Sequence, residues 1–562
     1  MFTLITKSLS FWSAVAEVAQ RPPTPLLTAR HSTRRTLHPK RCRRFALPPH
    51  SIKSLLLPLL LATTGCDLPR QAAAETETAP RLGLFLADKQ LETRNTEVFF
   101  PEPEVLGFTG GDGNGITGVF GNAMSNIVKL DDGRWRVYLT KRTYGGKSED
   151  GNFASTEMQS GFIDTDDLAN WPDIAGNFRP LVIKGLPEGV CFAQPFCIRR
   201  DGRFEVFFWI HGNGMIRYVR AAGDDGIHFE IENLEDPCIF HFADKRVRRD
   251  SKADGFLTNR GHLVTIDGEK IDPRDLLKVS NDATTVSLDP VTGLWRMYSV
   301  LTLPSADTGE RRVDYDNAPL FLRIIHRRDS RDGLNWSPPQ IVLAPDTQDR
   351  VDLQFYCIQQ TGQSHRPFLI VGYYPVIEQT MEVMPAFSLD GERILRPRLH
   401  WNLRDRLPDG GGGKWLMLMP AGMIEEENHI YMVVTAYNRN HATRHPPDFY
   451  RQQNLILRQD KNRWAGLVPK DAAEPGVLTT GPLLYDAPRI VTDDPKKVRV
   501  SLLSVFGGEL LANGTLDADG QIRFPNNADR EWLGKWARLQ VHFNTAVFGL
   551  LPPGVTLFYE TQ

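Results

Sequence analysis

Along residues 122–464, apolar and polar positions alternate with a period of two in short runs. That period belongs to strands with one face on a core, and no stretch sustains the 3.6-residue period of a helix. Five apolar runs are the strongest: Asn122–Leu130, Phe192–Ile198, Asp282–Leu288, Asp352–Ile358 and Trp415–Ile424. Two short phrases recur between them. The first is an Asp-Gly turn or close variant leading into an aromatic and an apolar alternation: DDGRWRVYL at Asp131–Leu139, RDGRFEVFF at Arg200–Phe208 and VTGLWRMYSV at Val291–Val300. The second closes each unit: DDLANW at Asp166–Trp171, DDGIHF at Asp224–Phe229, RDGLNW at Arg331–Trp336 and LDGERI at Leu389–Ile394. Repetition on this scale predicts all-β modules of about four strands. Five such modules in a ring make a five-bladed β-propeller whose inner strands line a channel, and a stack of consecutive sheets is the alternative. After Pro469 the strands become short and closely spaced, as in a β-sandwich: Val498–Leu503, Leu510–Leu516, Gln521–Phe524, Ala537–Phe543 and Gly554–Tyr559. The expected organisation is therefore all-β, with a propeller over 106–469 and a sandwich over 470–562. The charged stretch Phe240–Val279 reads as an insertion.

Composition leaves this picture intact and adds a leader. The chain has 562 residues, 41% hydrophobic and 24% charged, as expected for a globular body. Residues 1–65 carry ten Lys and Arg against Glu17 alone, a charge of +9, which leaves −11 for the remainder of a chain whose net charge is −2. An acidic body excludes a phosphate-tracking surface, so no nucleic-acid partner is expected. The basic run at Lys40–Arg44, the apolar stretch Ser54–Ala62 and Cys66 after Gly65 together resemble a bacterial lipoprotein export signal. On that reading residues 1–66 are the export segment with a long N-terminal extension, Cys66 is lipidated, and 67–105 is tether and lead-in. The membrane would be met only through that anchor. Cys191, Cys197, Cys238 and Cys357 belong to the body. No CxxC pair occurs, so a thiolate zinc site is not expected. Regular alternation would put Cys191 and Cys197 on one strand face, and Cys238 remains open to a disulfide.

The phrase DSRDGLNWSPPQIVL at Asp329–Leu343, its weaker copy FSLDGERILRP at Phe387–Pro397 and the tail Asp493–Phe524 carry a resemblance. With the five modules and the sandwich, they resemble the five-bladed propeller glycoside hydrolases, the superfamily of arabinanases, xylosidases, levansucrases and invertases. The resemblance covers most of the chain from about Gly110. It implies a glycan substrate, and acids at the starts of inner strands: Asp in the first blade, Asp in the second and Glu in the third. This chain departs from that pattern. Its second module carries Gln194-Pro195 where an acid is expected, and its third has Asn281-Asp282 without a Glu.

Glycoside hydrolysis needs two carboxyl groups flanking the bond. The candidates are Asp282 and Asp352 on adjacent inner strands and Asp112 on an approaching loop, with Glu188 as a weaker one. Against each stands the bland reading that an Asp there caps a turn. The remaining strand starts supply candidate sugar contacts: Gln194, Gln354, Tyr356, Asn122 and Thr284, with Trp415 as a stacking platform and His441 at the channel mouth. No metal-ligand set, cofactor motif or nucleophile elbow occurs. Three functions follow: a glycoside hydrolase-like protein, a propeller that binds glycan without cleaving it, and a protein-interaction scaffold.

Overall fold

The computed structural model describes residues 83–84, 92–109, 126–147, 153–241, 244–248, 264–266, 269–271, 279–304, 321–363, 368–388, 394–397, 400–408, 414–441, 452–525 and 528–551. The leader, Cys66, Asp112, Asn122 and the expected strand Gly554–Tyr559 lie outside them.

Five antiparallel sheets carry the repeats. Sheet one is Asn126–Lys129, Trp135–Lys147, Phe153–Thr165 and Arg179–Pro180. Sheet two is Cys191–Arg200, Arg203–Gly212, Met215–Gly223 and His228–Ile231, with Val182–Lys184 added in parallel. Sheet three is Val279–Leu288, Trp295–Pro304, Phe321–Ser330 and Gln340–Leu343. Sheet four is Leu353–Gln360, Phe368–Pro375, Glu382–Ser388 and Ile394–Leu395. Sheet five is Met417–Glu425, His429–Tyr437, Gln452–Asp460 and, from far upstream, Glu104–Thr109. The first strand of each sheet packs on the first strand of the next, and the fifth packs on the first. The ring is a β-propeller, and the N-terminal strand Glu104–Thr109 closes it.

The two phrases have distinct structural jobs. The first is the hairpin joining the first and second strands. In sheet two Asp201 and Gly202 both take positive φ, the geometry of a tight two-residue turn between right-twisted strands. The second phrase joins the third and fourth strands. Asp332 accepts the backbone N–H groups of Leu334 and Asn335, and the Trp336 indole donates to Gly333 O at 3.1 Å. Trp171 repeats the gesture on Leu168 O at 3.0 Å.

Two of these turns are also gripped by the preceding blade. Arg136 Nη1 and Tyr138 Oη of sheet one donate to Asp225 O and Gly226 O of sheet two. Arg220 of sheet two donates to Asp332 O of sheet three. Gly333 has φ +74°, and a Cβ there would lie 2.6 Å from Arg220 Nη1. The glycine is required by the neighbouring sheet as well as by the turn.

Inner strands are tied by buried polar side chains, because strands packed around an axis leave backbone groups that apolar residues cannot satisfy. Asn126, 2% exposed, receives Cys197 N–H on Oδ1 at 2.8 Å and donates Nδ2 to Cys197 O. Gln360 Nε2 donates to Thr285 Oγ1 at 3.0 Å. The first strand of sheet two carries a β-bulge between Ala193 and Phe196. The extra residue inverts the alternation beyond it, so Cys191 is exposed while Cys197 is buried. The expectation that they share a face fails for that reason. Cys238 is a buried free thiol that accepts Asn233 Nδ2 at 3.3 Å, and burial pushes its pKa up to about 11. It forms no disulfide in the structure.

Two further sheets face each other over one core that includes Leu478, Val500, Leu502, Leu539, Val541 and Phe543. This is the sandwich. The stretch read as lead-in contributes to it: Glu92–Arg94 pairs with Gly476–Thr479, and Thr96–Phe99 pairs with Gly466–Pro469. Strands Val498–Leu503 and Leu510–Leu516 stand where the alternation puts them. The insertion Phe240–Val279 contains the short helix Lys245–Arg248 and the hairpin Val264–Ile266 with Glu269–Ile271.

The Asn126 bridge generates a prediction. Asn126→Ala strands a buried N–H and a buried carbonyl of Cys197, each costing about 1–3 kcal/mol. Denaturant unfolding is expected to show a loss of roughly 2–4 kcal/mol; a loss under half a kilocalorie would remove this side chain from the ring's support.

Candidate functional site

The end of the ring where the inner strands begin gathers residues from three consecutive sheets. Arg323 lies near the start of the third strand of sheet three, Gln354 and Tyr356 near the start of sheet four, and Tyr374 opposite Gln354 on its second strand. His441 follows the second strand of sheet five. Arg323 Nη1 donates to Gln354 Oε1 at 2.7 Å, and its guanidinium lies 4.9 Å from the Tyr356 ring and 5.2 Å from the Tyr374 ring. The His441 imidazole stands edge-on to both tyrosines, at 5.1 and 5.2 Å between centroids. His441 Nδ1 is 3.4 Å from Tyr374 Oη.

The local backbone explains this placement. A β-bulge between Phe355 and Ile358, with Cys357 at φ +61°, turns Tyr356 toward the neighbouring sheet. His441 is held by its own N–H, which donates to Gln379 O at 2.8 Å. Arg323, Gln354, Tyr356 and Tyr374 are buried and make the floor, while His441 is half-buried above them. A guanidinium, an amide and an imidazole set among aromatic rings suit a hydroxyl-bearing ligand better than a wholly apolar one.

Three of the expected contacts, Gln354, Tyr356 and His441, thus come together. Others do not. Thr284 is buried, accepts the Trp209 indole at 3.2 Å and shares a hydrogen bond with Ser299 Oγ at 2.9 Å, so it ties sheets two and three. Trp415 is 2% exposed, packs on Phe108 and donates its indole to Pro408 O, which corrects the expectation of a stacking platform. Gln194 sits in the bulge of sheet two at φ +61° with its N–H on Thr140 Oγ1, and its buried Oε1 has no hydrogen-bond partner among the described residues. Glu188 is an exposed turn residue whose carbonyl accepts Asn213 Nδ2.

The carboxyl groups divide likewise. Asp352 is engaged at both oxygens: Arg350 Nε reaches Oδ1 at 2.8 Å and Nη2 reaches Oδ2 at 3.2 Å, where Ile377 N–H adds a third bond at 3.3 Å. This clamps the start of the strand to the turn after Pro375. Asp282 has its backbone in the strand Val279–Leu288, and its side chain is outside what the structure describes. Glu382 was not singled out from the sequence. It is buried one residue pair from Gln354, at the same end of sheet four, and accepts Arg404 N–H at 3.2 Å. Burial pushes its pKa up to about 7, against the pull of Arg404. Glu382 and Arg323 had one signal in common: a charged residue inside an otherwise apolar strand run, MEVMPAF and FLRII.

Fold and site together define a β-propeller protein with an appended β-sandwich and a polar, aromatic cluster at the inner-strand starts. No protein-family model and no curated protein matches the chain. Solved structures are similar to it in part. A family-43 β-1,3-galactosidase with galactodeoxynojirimycin is 10% identical with a TM-score of 0.35, over 61% of this chain and 92% of that one. A thermostable family-43 glycoside hydrolase is 12% identical with a TM-score of 0.38, over 63% and 93%. The catalytic domain of a Coprinopsis cinerea family-62 α-L-arabinofuranosidase is 12% identical with a TM-score of 0.35, over 63% and 98%. At TM-scores of this size the likeness carries no weight for fold or function, which rest on the sheets and side chains above.

Glu382 makes stability depend on pH. Its folded pKa of about 7 lies above its ordinary 4.5, so folding favours the protonated form. That contribution is complete below pH 4.5 and is lost as pH rises to about 7. Unfolding midpoints measured across this window are expected to fall in the wild type relative to Glu382→Gln; parallel curves would refute the raised pKa.

Proposed function

We propose that the protein is a glycoside hydrolase-like propeller acting on a glycan at the inner-strand mouth. One observation carries this reading: Arg323, Gln354, Tyr356, Tyr374 and His441 converge there from three sheets. The mouth supplies donors over an aromatic floor, which is what a sugar ring with its hydroxyls requires. Hydrolysis would draw its two carboxyl groups from Asp282, Asp352 and Asp112. Export and lipid anchoring at Cys66 belong to the same proposal and rest on the leader's charge and apolar run.

The second reading is glycan binding without cleavage. The clamp of Arg350 on both oxygens of Asp352 favours it, because that carboxylate already has a structural task. The purified mature protein, screened on aryl glycosides and polysaccharides, separates the two. Under the hydrolase reading, Asp282→Asn is expected to lower turnover by roughly a hundredfold or more. Turnover untouched by both Asp282→Asn and Asp352→Asn would remove these acids. Binding weakened by His441→Ala, with no turnover, would establish the second reading. Neither binding nor turnover across the panel would dismiss both.

A further inference from the structure

One end of the sandwich is apolar and open to solvent. Phe506 is 91% exposed there, Trp536 64%, Leu510 58%, Leu533 57% and Leu484 50%. The other large apolar residues exposed among those described are valines and isoleucines. Strand register brings the five together. Leu484 pairs with Trp536, and Leu503 stands between Leu510 on one side and Arg538 on the other. The hairpin turn 504–509, closed by Ser504 N–H on Glu509 O at 2.8 Å, therefore lies beside the start of the strand Trp536–Phe543. Leu533 sits in the turn entering that strand, where Gly534 N–H donates to Tyr485 O at 2.8 Å, next to Leu484.

These side chains have no place in the core. Ala537, Leu539, Val541 and Phe543 already fill it, so alternation sends Trp536 to the outer face. Phe506 rides on a turn whose Gly507 and Gly508 take φ +87° and +67°, and a Cβ at either would meet nothing within 4 Å. The turn projects away from the body. Arg530 and Lys535 are exposed nearby but are offset by Asp486, Glu509 and Glu531. Apolar area, not charge, is what this end offers.

A patch of this kind suits a membrane or a protein partner. The path of the chain favours the membrane. Gly83–Leu84 pairs with Val547–Leu551, so the chain enters the described body through the sandwich. Residues 67–82 separate that strand from Cys66, and so short a segment spans at most about 60 Å. A lipid on Cys66 would hold the sandwich within that distance of a bilayer. Tryptophan, phenylalanine and leucine are the side chains that settle at the boundary of headgroups and acyl chains.

We propose that this end of the sandwich docks on a lipid bilayer, with Phe506 and Trp536 entering the interface and the three leucines around them. The choice of a bilayer rests on the lipid-anchor reading above; the apolar surface stands without it.

The test is flotation of the mature chain carrying Cys66→Ser, which has no lipid of its own, with vesicles of phosphatidylethanolamine and phosphatidylglycerol. Co-flotation is expected and persists at high salt. Phe506→Ser with Trp536→Ser is expected to weaken it at least roughly tenfold, while Val291→Ser, an exposed apolar position on the propeller, leaves it unchanged. In a second measurement, bromine-labelled acyl chains are expected to quench tryptophan emission in the Cys66→Ser chain, and Trp536→Phe to remove that quenching while flotation continues. No flotation, flotation abolished by salt, flotation indifferent to the double substitution, or no quenching each overturns the proposal. Self-association without vesicles, or glycan binding, that the double substitution removes would assign the surface to a second copy or to a sugar and overturns it likewise. Failure of the anchor reading would show separately, as an unmodified Cys66 in the mass of the wild-type chain, and leaves the flotation result standing.

Discussion

Everything in the ring depends on its closure. The outer strand of the fifth sheet is Glu104–Thr109, which precedes the first sheet in the chain and pairs with Gln452–Asp460. Arg458 fastens it through two bonds to Glu104, and Thr109 Oγ1 receives the N–H of Trp171 in sheet one. The entropy of joining ends so far apart grows only logarithmically with loop length, about 0.6 kcal/mol for each doubling. Closing the ring packs the faces of sheets one and five together over a shared core of Ile127, Val137, Leu139, Ala421, Ile424 and Val433. Without this strand the fifth sheet would have three strands, and Gln452–Asp460 would be left as its outer edge.

Given closure, the blades must grip one another where their turns meet. The recurrent Asp-Gly phrases serve this. Their side chains shape the turn, and their carbonyls accept donors from the previous blade, Arg136 and Tyr138 in one case and Arg220 in another. A phrase visible as repetition is thus a joint between modules. At the centre, Asn126, Thr140, Ser160, Thr284 and Gln360 bond backbone or hydroxyl groups on neighbouring strands. Thr284, which looked like a ligand contact, is spent on this internal bonding.

The same competition shapes the functional face. Thr284 and Asp352 stand near the starts of inner strands, but Trp209 and Arg350 already hold them. Gln354, Tyr356 and His441 come together because a bulge beside Tyr356 and a backbone anchor of His441 at Gln379 O turn them toward one place. That bulge could not be read from alternation, since one extra residue exchanges the faces of a strand without changing its composition. The misplaced pairing of Cys191 with Cys197 has the same origin.

Local order was therefore legible in the chain. Period-two alternation identified the inner strands, Asp-Gly pairs located the hairpins, and the change of rhythm after Pro469 announced the sandwich. These depend on residues close in sequence. The partners of Glu104–Thr109, the membership of Glu92–Phe99 in the sandwich, the meeting of Arg323 with Tyr374 and His441, and the buried state of Glu382 do not. They arise from distant strands brought together by ring closure, and from burial, which sets the cost of every charge. Which residues bind a ligand and which only hold the ring was decided there, because a polar side chain has one set of bonds to give and the fold determines which groups lie within its reach.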